Sequence, residues 1–219
     1  MVSRETTGES APWLIPALEQ LERFQEILAG PGLERGLMGP REMPRLWNRH
    51  ILNCAVVADP ALLLLPEHSL VADVGSGAGL PGLVWAITRP DISIVLIEPL
   101  LRRATFLTEA VIDLGLSDRV TVLRARAEKV VATPNWAGVD IVTARAVAPM
   151  ERLLGWTIPL LKPVGDLIAF KGLTAQKEVA QVPAHTLTQY GITEIEVLTC
   201  GAGVVEPKTT VVRARRGIN

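Results

Sequence analysis

The residues best suited to bind a ligand lie between Asp73 and Gly82, in the run Asp-Val-Gly-Ser-Gly-Ala-Gly-Leu-Pro-Gly. Glycine permits a positive φ and lets backbone N–H groups approach a ligand closely. The run follows Leu70–Val74, whose apolar residues are typical of a short strand, and a helix is expected to begin at Pro81 or Gly82. The N-terminus of a helix adds unpaired N–H donors. We therefore predict a loop that binds a nucleotide-like cofactor.

Two cofactors fit this loop. Gly77, Gly79 and Gly82 match the dinucleotide pattern G-x-G-x-x-G, which favours NAD. In a longer register, Asp73 stands two residues before Gly75, a pattern typical of S-adenosylmethionine-dependent methyltransferases, where the acid faces the amino-acid end of the cofactor. A carboxylate at this position would repel a pyrophosphate and would pair with an ammonium group. The longer register therefore favours the methyl donor.

Two further features bear on this choice. Glu98 follows the predicted strand Ser93–Ile97, where its carboxylate can accept hydrogen bonds from the ribose hydroxyls of either cofactor. The last two predicted strands, Glu194–Leu198 and Thr209–Arg213, are joined by a linker too short for a crossover helix, so they should pair antiparallel. An antiparallel terminal hairpin is typical of the methyltransferase version of the fold, and it favours S-adenosylmethionine over NAD.

The elements that carry these residues alternate between strand and helix, which predicts a parallel sheet covered by helices. Helical segments are also expected at Trp13–Leu28 and at about 42–57, before the first strand. The remaining expected strands are Val120–Leu123, Asp140–Thr143 and Gly165–Phe170, and the remaining helices are Pro81–Thr88, Leu100–Leu114, Met150–Leu161 and Thr174–Val182. The expected fold is α/β: a Rossmann-like class I methyltransferase with a seven-stranded, mostly parallel sheet, an antiparallel terminal hairpin and an N-terminal helical extension. We expect a flexible tail at 1–12, the extension at 13–66 and the methyltransferase domain at 67–216.

Composition excludes several classes of protein. The 219-residue chain has no apolar run of about 18 residues that could cross a bilayer, and its first ten residues lack the apolar stretch of a signal peptide. Cys54 and Cys200 lack metal-ligand spacing, and the three histidines are scattered. We therefore expect a metal-free, soluble, cytoplasmic monomer. A net charge of −1 confines any contact with nucleic acid to local patches.

The segment after the fourth predicted strand, Thr143-Ala-Arg-Ala-Val-Ala-Pro149, restricts the methyl acceptor. It lacks the Asn/Asp-Pro-Pro-Tyr-type motif used for exocyclic amino groups, and neither cysteine stands where carbon-5 methylation of a pyrimidine would need a nucleophile. N7 of guanine carries an in-plane lone pair at neutral pH. Its methylation would need no general base, only alignment with the methyl donor.

Several segments share one family's motifs. They are Arg49-His-Ile-Leu-Asn53, Asp73-Val-Gly-Ser-Gly-Ala-Gly-Leu-Pro-Gly82, Arg126-Ala-Glu128, Thr143-Ala-Arg-Ala-Val147 and Phe170-Lys-Gly172. Together they resemble the small-subunit ribosomal RNA methyltransferase G family, also called glucose-inhibited division protein B, over nearly the whole chain. The resemblance implies transfer of the methyl group of S-adenosylmethionine to N7 of guanine 527 in 16S rRNA of the bacterial small ribosomal subunit.

The resemblance also implies site residues. It adds cofactor contacts to those expected from the residues themselves. The full set of residues expected to bind the cofactor is Asp73, Gly75, Gly77, Gly79, Leu80, Glu98, Ala127, Glu128 and Arg145. Glu128 is expected near the adenine amino group. Arg145 and Lys171 are expected to position the guanine, and the alternative for Arg145 is an ion pair with Glu128 or Asp140.

Contacts with RNA are expected outside the loop. Arg41, Arg45 and Arg49 recur every fourth residue, so on a helix they would form one stripe, with His50 beside it. The stripe could grip phosphates, and the alternative is a solvated charged face. No role is assigned to Trp136, Lys208 or the C-terminal arginines. Three other functions stay open: an NAD-dependent oxidoreductase, a methyltransferase acting on a small molecule, and a non-catalytic ribosome-binding module.

Overall fold

The sheet has the topology that the sequence predicts. The computed structural model describes residues 4–145 and 147–218 of the chain. Its strands are β1 (Leu70–Val74), β2 (Ser93–Ile97), β3 (Val120–Leu123), β4 (Val139–Arg145), β5 (Leu161–Lys171), β6 (Ile192–Cys200) and β7 (Thr209–Arg216). They form one sheet in the order β3-β2-β1-β4-β5-β7-β6. β7 lies antiparallel between β5 and β6, and β1 to β5 pair in parallel, so the seven-stranded sheet with its antiparallel hairpin is confirmed.

Helices cover both faces of the sheet. The α-helices are α1 (Arg4–Ser10), α2 (Leu18–Ile27), α3 (Asn53–Ala55), α4 (Gly82–Thr88), α5 (Leu101–Asp113), α6 (Ala127–Val131), α7 (Met150–Thr157), α8 (Ala175–Ala180) and α9 (Ala184–Gln189). The sequence does not predict α6 and α9, which are five and six residues long. None of the helices in the described residues is long and apolar enough to span a membrane.

The N-terminal part differs most from expectation. The continuous helix expected at 42–57 is wrong: a 3-10 helix, Pro40–Arg45, leads into a π-helix, Leu46–Leu52, before α3 begins. Pro44 has no N–H to donate, which disfavours a regular α-helix through this segment. A helix, α1, occupies residues 4–10, where a flexible tail is expected. Residues 1–3 of that expected tail lie outside the described residues.

The N-terminal extension packs directly on the sheet's helices. Leu21 and Phe24 of α2 are fully buried in the same apolar cluster as Trp85 of α4 and Phe106 of α5. Burying one such side chain contributes about 1.5–3 kcal/mol. The Trp85 indole also donates a hydrogen bond of 3.0 Å to the carbonyl of Cys54, which belongs to the extension. These contacts fix the extension beside the edge of the sheet where β1, β2, β4 and β5 end.

Candidate functional site

The glycine loop joins β1 to α4 and needs its glycines for conformation. Gly75, Gly77 and Gly79 have φ of 71°, 56° and 88°. A Cβ added to Gly79 would lie 2.5 Å from Cδ1 of Leu83, closer than van der Waals contact allows. The loop is thus a tight, fixed turn whose backbone faces the carboxyl edge of the sheet, where open α/β sheets bind ligands.

Asp73 lies beneath this loop and is completely buried. Its Oδ2 accepts a hydrogen bond of 3.0 Å from the amide of Gly82, and its Oδ1 has no hydrogen-bond partner among the described residues. Burial raises the pKa of Asp73 to about 7, although the Gly82 amide acts in the opposite direction. A carboxyl group in this state anchors the first residue of α4 and retains one free acceptor.

Glu98 connects the loop to the segment after β2. It is 2% exposed, and its two carboxylate oxygens accept hydrogen bonds of 3.0 Å each from the amides of Gly77 and Leu100. A carboxylate has about four lone-pair sites, so each oxygen can still accept another donor. Glu98 is therefore a structural link that also faces a cavity.

Three adjoining cavities open at this edge of the sheet. The loop cavity, of about 610 Å³, is lined by the glycine loop, Glu98 and Arg145, and also by Leu37, Met38 and His50 of the extension. A smaller apolar cavity, of about 170 Å³, is lined by Gly75, Pro99, Ala127, Glu128, Val147 and Trp156, among others. The lysine cavity, of about 690 Å³, includes Arg49, Arg145, Val147, Phe170, Lys171 and Glu178 in its wall. Val147 borders all three, so together they offer the volume of a ligand site.

Arg145, at the end of β4, separates the loop cavity from the lysine cavity. Its guanidinium lies 3.2 Å from Sγ of Cys54, 3.2 Å from the carbonyl of Arg49 and 3.0 Å from Nδ1 of His50. An arginine can only donate, so Nδ1 of His50 accepts and the ring proton stays on Nε2. That nitrogen lies 2.7 Å from Oε2 of Glu42. Residues of the extension therefore hold Arg145 in place, and among the described residues it forms no ion pair with Glu128 or Asp140, the alternative considered for it.

The same contacts affect the groups around Arg145. Burial lowers the pKa of His50, which favours the neutral ring that accepts from Arg145. Burial also raises the pKa of Cys54 to about 11, so this cysteine stays a neutral thiol at pH 7. No cluster of three or more His, Cys, Asp or Glu side chains suited to a metal ion occurs in the part of the chain that the structure describes.

Lys171, at the end of β5, is held by two partners. Its ammonium donates hydrogen bonds of 2.7 Å to the carbonyl of Ala148 and of 2.7 Å to Oε2 of Glu178, and its side chain is 8% exposed. It thereby fixes the segment that follows β4. Ala146, which belongs to the expected Thr143–Val147 motif, lies outside the described residues.

The four residues expected to bind RNA differ in exposure and local backbone. Arg41, Arg45 and Arg49 are exposed, but they occupy a 3-10 helix and a π-helix, so the four-residue spacing does not place them on one α-helical face. His50 lies between Glu42 and Arg145, with 15% of its side chain exposed. Sequence reasoning missed Glu42 and Glu178, because only the folded chain brings Glu42 to His50 and Glu178 to Lys171.

Trp136 and the C-terminal arginines are engaged in contacts within the fold, whereas Lys208 is exposed. The indole of Trp136 donates a hydrogen bond of 3.2 Å to the carbonyl of Leu160. The C-terminal arginines of β7 pair with acidic and carbonyl groups of neighbouring strands: Arg213 with Glu196, Arg215 with Asp166 and Glu194, and Arg216 with the carbonyls of Ile158 and Leu161. These arginines stabilise the sheet rather than form a free basic patch.

Comparisons with known proteins agree with this architecture. A family model described as rRNA small subunit methyltransferase G matches residues 17–205. The Ribosomal RNA small subunit methyltransferase G of Streptomyces avermitilis is 53% identical over 195 residues, which cover 89% of this chain and 79% of that protein. Its counterpart in Thermobifida fusca is 49% identical over 211 residues, which cover 96% and 82%.

A solved structure has a similar fold over nearly the whole length of this chain. A putative O-methyltransferase from Klebsiella pneumoniae superposes with a TM-score of 0.62 at 16% identity, over 98% of this chain and 97% of that chain. A likeness at this identity shows a shared fold and no more. The family model, by contrast, matches well over half of the sequence, and on that ground the chain belongs to the rRNA small subunit methyltransferase G family.

Proposed function

We propose that this protein transfers the methyl group of S-adenosylmethionine to N7 of a guanine in 16S rRNA, the reaction that the family resemblance implies. The observation that carries the proposal is the meeting of the loop cavity and the lysine cavity at Arg145 and Val147. The loop cavity has the glycine loop and Glu98 in its wall, as a methyl-donor site requires, and the lysine cavity is large enough for a flipped nucleotide. The family and fold favour this function over an NAD-dependent oxidoreductase.

The residues of the loop cavity and the apolar cavity fit S-adenosylmethionine. Glu98 retains lone pairs for ribose hydroxyls, and Ala127 and Glu128 border an apolar space suited to adenine. The free Oδ1 of Asp73 could accept from the ammonium group, although Asp73 does not itself line the cavity. Gly75 and Leu80 would contact the cofactor with their backbones. When bound, the sulfonium supplies an activated methyl group.

The protein's part in the reaction is positioning. N7 of guanine needs no proton removed, so the residues must hold the base in line with the methyl group and exclude alternatives. The guanidinium of Arg145 has five N–H donors and is held by three partners, so donors remain for the base or its phosphate. Lys171 is tethered at two points, and we assign it the shaping of the lysine cavity.

We propose that Arg41, Arg45 and Arg49 contact phosphates of the rRNA from the exposed side of the extension. For His50 we propose a positioning role, because its ring is occupied by Arg145 and Glu42. We further propose that the enzyme acts as a metal-free monomer in the cytoplasm, on the assembled small subunit. In this proposal residues 13–66 are an RNA-binding extension and residues 67–216 the catalytic domain.

The test uses small ribosomal subunits from cells that lack the gene. These subunits are incubated with the protein and S-adenosylmethionine, reduced with borohydride and cleaved with aniline, which cuts RNA at N7-methylguanine. We expect one new cleavage site that depends on both the protein and the cofactor. Calorimetric titration with S-adenosylmethionine and with NAD provides the control for cofactor choice. Cofactor binding without a new cleavage site would refute the RNA substrate.

A further inference from the structure

Glu178, on α8, is the one carboxylate in the wall of the lysine cavity, as far as the described lining residues go. Its side chain is 25% exposed. The other charged residues of that wall, Arg49, Arg145 and Lys171, are basic, as a cavity that receives a nucleotide requires. A negative charge here opposes the approach of phosphate. The function of this cavity therefore has to explain why an acid stands in it.

The contacts of Glu178 keep it ionised and leave acceptor capacity. Lys171 donates to Oε2 at 2.7 Å, and the hydroxyl of Thr174 donates to Oε1 at 3.0 Å. The hydrogen bond from Lys171 is the main cause that lowers the pKa of Glu178, and the amide of Met150 adds to it. Of about four lone-pair sites, three are used, and the exposed Thr174 hydroxyl can turn to solvent and free another.

A carboxylate with free lone pairs selects N–H donors, and the nucleobases differ in these. Guanine presents N1–H and the N2 amino group as adjacent donors, with O6 as an acceptor beside them. Adenine presents an acceptor at N1, which a carboxylate would repel. Enzymes that act on a flipped base read it by hydrogen bonds to this Watson–Crick edge. N7 lies on the adjacent Hoogsteen edge, so hydrogen bonds to the Watson–Crick edge leave N7 free for methyl transfer.

Lys171 completes the match. Two of its three ammonium protons are used, by Ala148 and Glu178, and the third can reach an acceptor such as O6. We propose that Glu178 determines the specificity of the lysine cavity for guanine. Its carboxylate accepts hydrogen bonds from the N2 amino group and N1–H of the target guanine, while the ammonium of Lys171 donates to O6. The proposal rests on the proposed function, because it takes the lysine cavity as the site of the acceptor base.

The test replaces the target guanosine with inosine, which keeps N7 and O6 but lacks the N2 amino group. Small subunits are reconstituted from ligated 16S rRNA that carries either nucleoside at the target position, and kcat/KM is measured for both. For the wild type we expect a preference for guanosine of about 10- to 100-fold. For Glu178→Gln we expect guanosine methylation to fall toward the inosine level and the preference to shrink to about 2-fold or less.

The controls separate this role from a purely structural one. Glu19→Gln removes an exposed carboxylate of α2, outside the cavity, and should keep the wild-type preference. Calorimetry with S-adenosylmethionine shows that the variants are folded. If Glu178→Gln does not fold, Glu178→Asp keeps the charge on a shorter stem and should reduce the preference in part. If Glu178 only anchors Lys171, both substrates slow equally and the preference persists, which overturns the proposal.

The two proposals fail in different ways. A wild type that methylates neither subunit contradicts the proposed function itself. A wild type that methylates guanosine and inosine subunits equally leaves the function standing and overturns the role of Glu178.

Discussion

The buried carboxyl group of Asp73 should make the stability of the protein depend on pH, and Asp73→Asn should remove that dependence. Burial raises the pKa of Asp73 from 3.8 to about 7. The folded protein therefore binds this proton more tightly than the unfolded chain does. Well below pH 3.8 both states are protonated and the full stability is present; between pH 3.8 and about 7 the stability contributed by the bound proton is progressively lost.

The size of the effect follows from the shift in pKa. The difference between 3.8 and about 7 corresponds to about 4 kcal/mol at 1.36 kcal/mol per unit. By pH 5 Asp73 is already largely ionised in the unfolded chain, and the free energy of unfolding has fallen by about 1.7 kcal/mol from its value at low pH. At pH 8 it has fallen by about 4 kcal/mol. Asparagine can still accept from the Gly82 amide and does not titrate. We therefore expect Asp73→Asn to gain about 2.5 kcal/mol relative to the wild type between pH 5 and pH 8.

Urea denaturation of the ligand-free protein, followed by tryptophan fluorescence, measures this difference. The comparison uses only the change with pH in the difference between the two free energies of unfolding, so any pH-independent cost of replacing the carboxyl group by an amide cancels. Asp118→Asn, which removes an exposed carboxylate and no buried one, is the matched control. If the free energies of unfolding of wild type and Asp73→Asn run parallel from pH 5 to pH 8, Asp73 is not held protonated by burial and the reasoning is wrong.

Three further predictions concern other parts of the molecule. Gly79→Ala should cost about 1–3 kcal/mol of stability and weaken S-adenosylmethionine binding, since φ is 88° and the new methyl would strike Leu83; denaturation and calorimetry check this, and an unchanged affinity would contradict it. Trp136→Phe should lose about 1 kcal/mol from one hydrogen bond and leave methyl transfer unchanged, whereas a slower reaction would reveal a base contact. Replacing Arg41 and Arg45 by Gln should weaken binding to the small ribosomal subunit and leave the affinity for the cofactor unchanged. The slope of the logarithm of the binding constant against the logarithm of the salt concentration should become shallower by about one to two.

The sequence predicts the sheet well because the relevant signals are local. Strands such as Leu70–Val74 and Ser93–Ile97 are short apolar runs, and the structure gives both the bounds expected for them. The terminal hairpin follows from the length of one linker. Glycines that need a positive φ mark the loop directly. Each of these inferences uses only neighbours in the chain, so no tertiary contact was needed to make it.

The N-terminal extension is harder to predict, because its backbone follows tertiary packing rather than helical period. The segment Leu46–Leu52 is a π-helix, and it places Arg49 and His50 against the end of β4. Successive residues of a 3-10 helix or a π-helix turn about the axis by a different angle from those of an α-helix. The spacing of the arginines alone therefore could not predict which way their side chains point. The pairing of Glu178 with Lys171 depends likewise on how α8 folds back on the sheet edge.

The contacts of Arg145 show that the extension belongs to the site and is not an appendage to it. Among the described residues, the hydrogen-bond partners of its guanidinium all belong to the extension: Cys54, the carbonyl of Arg49 and His50. Arg145 belongs to β4, but residues of the extension fix the position of its guanidinium. The exposed arginines that we propose to meet rRNA stand on the same segment, within a few residues of His50. In that proposal, RNA bound to this segment would act on Arg145 through the residues that hold it, without a rearrangement of the sheet.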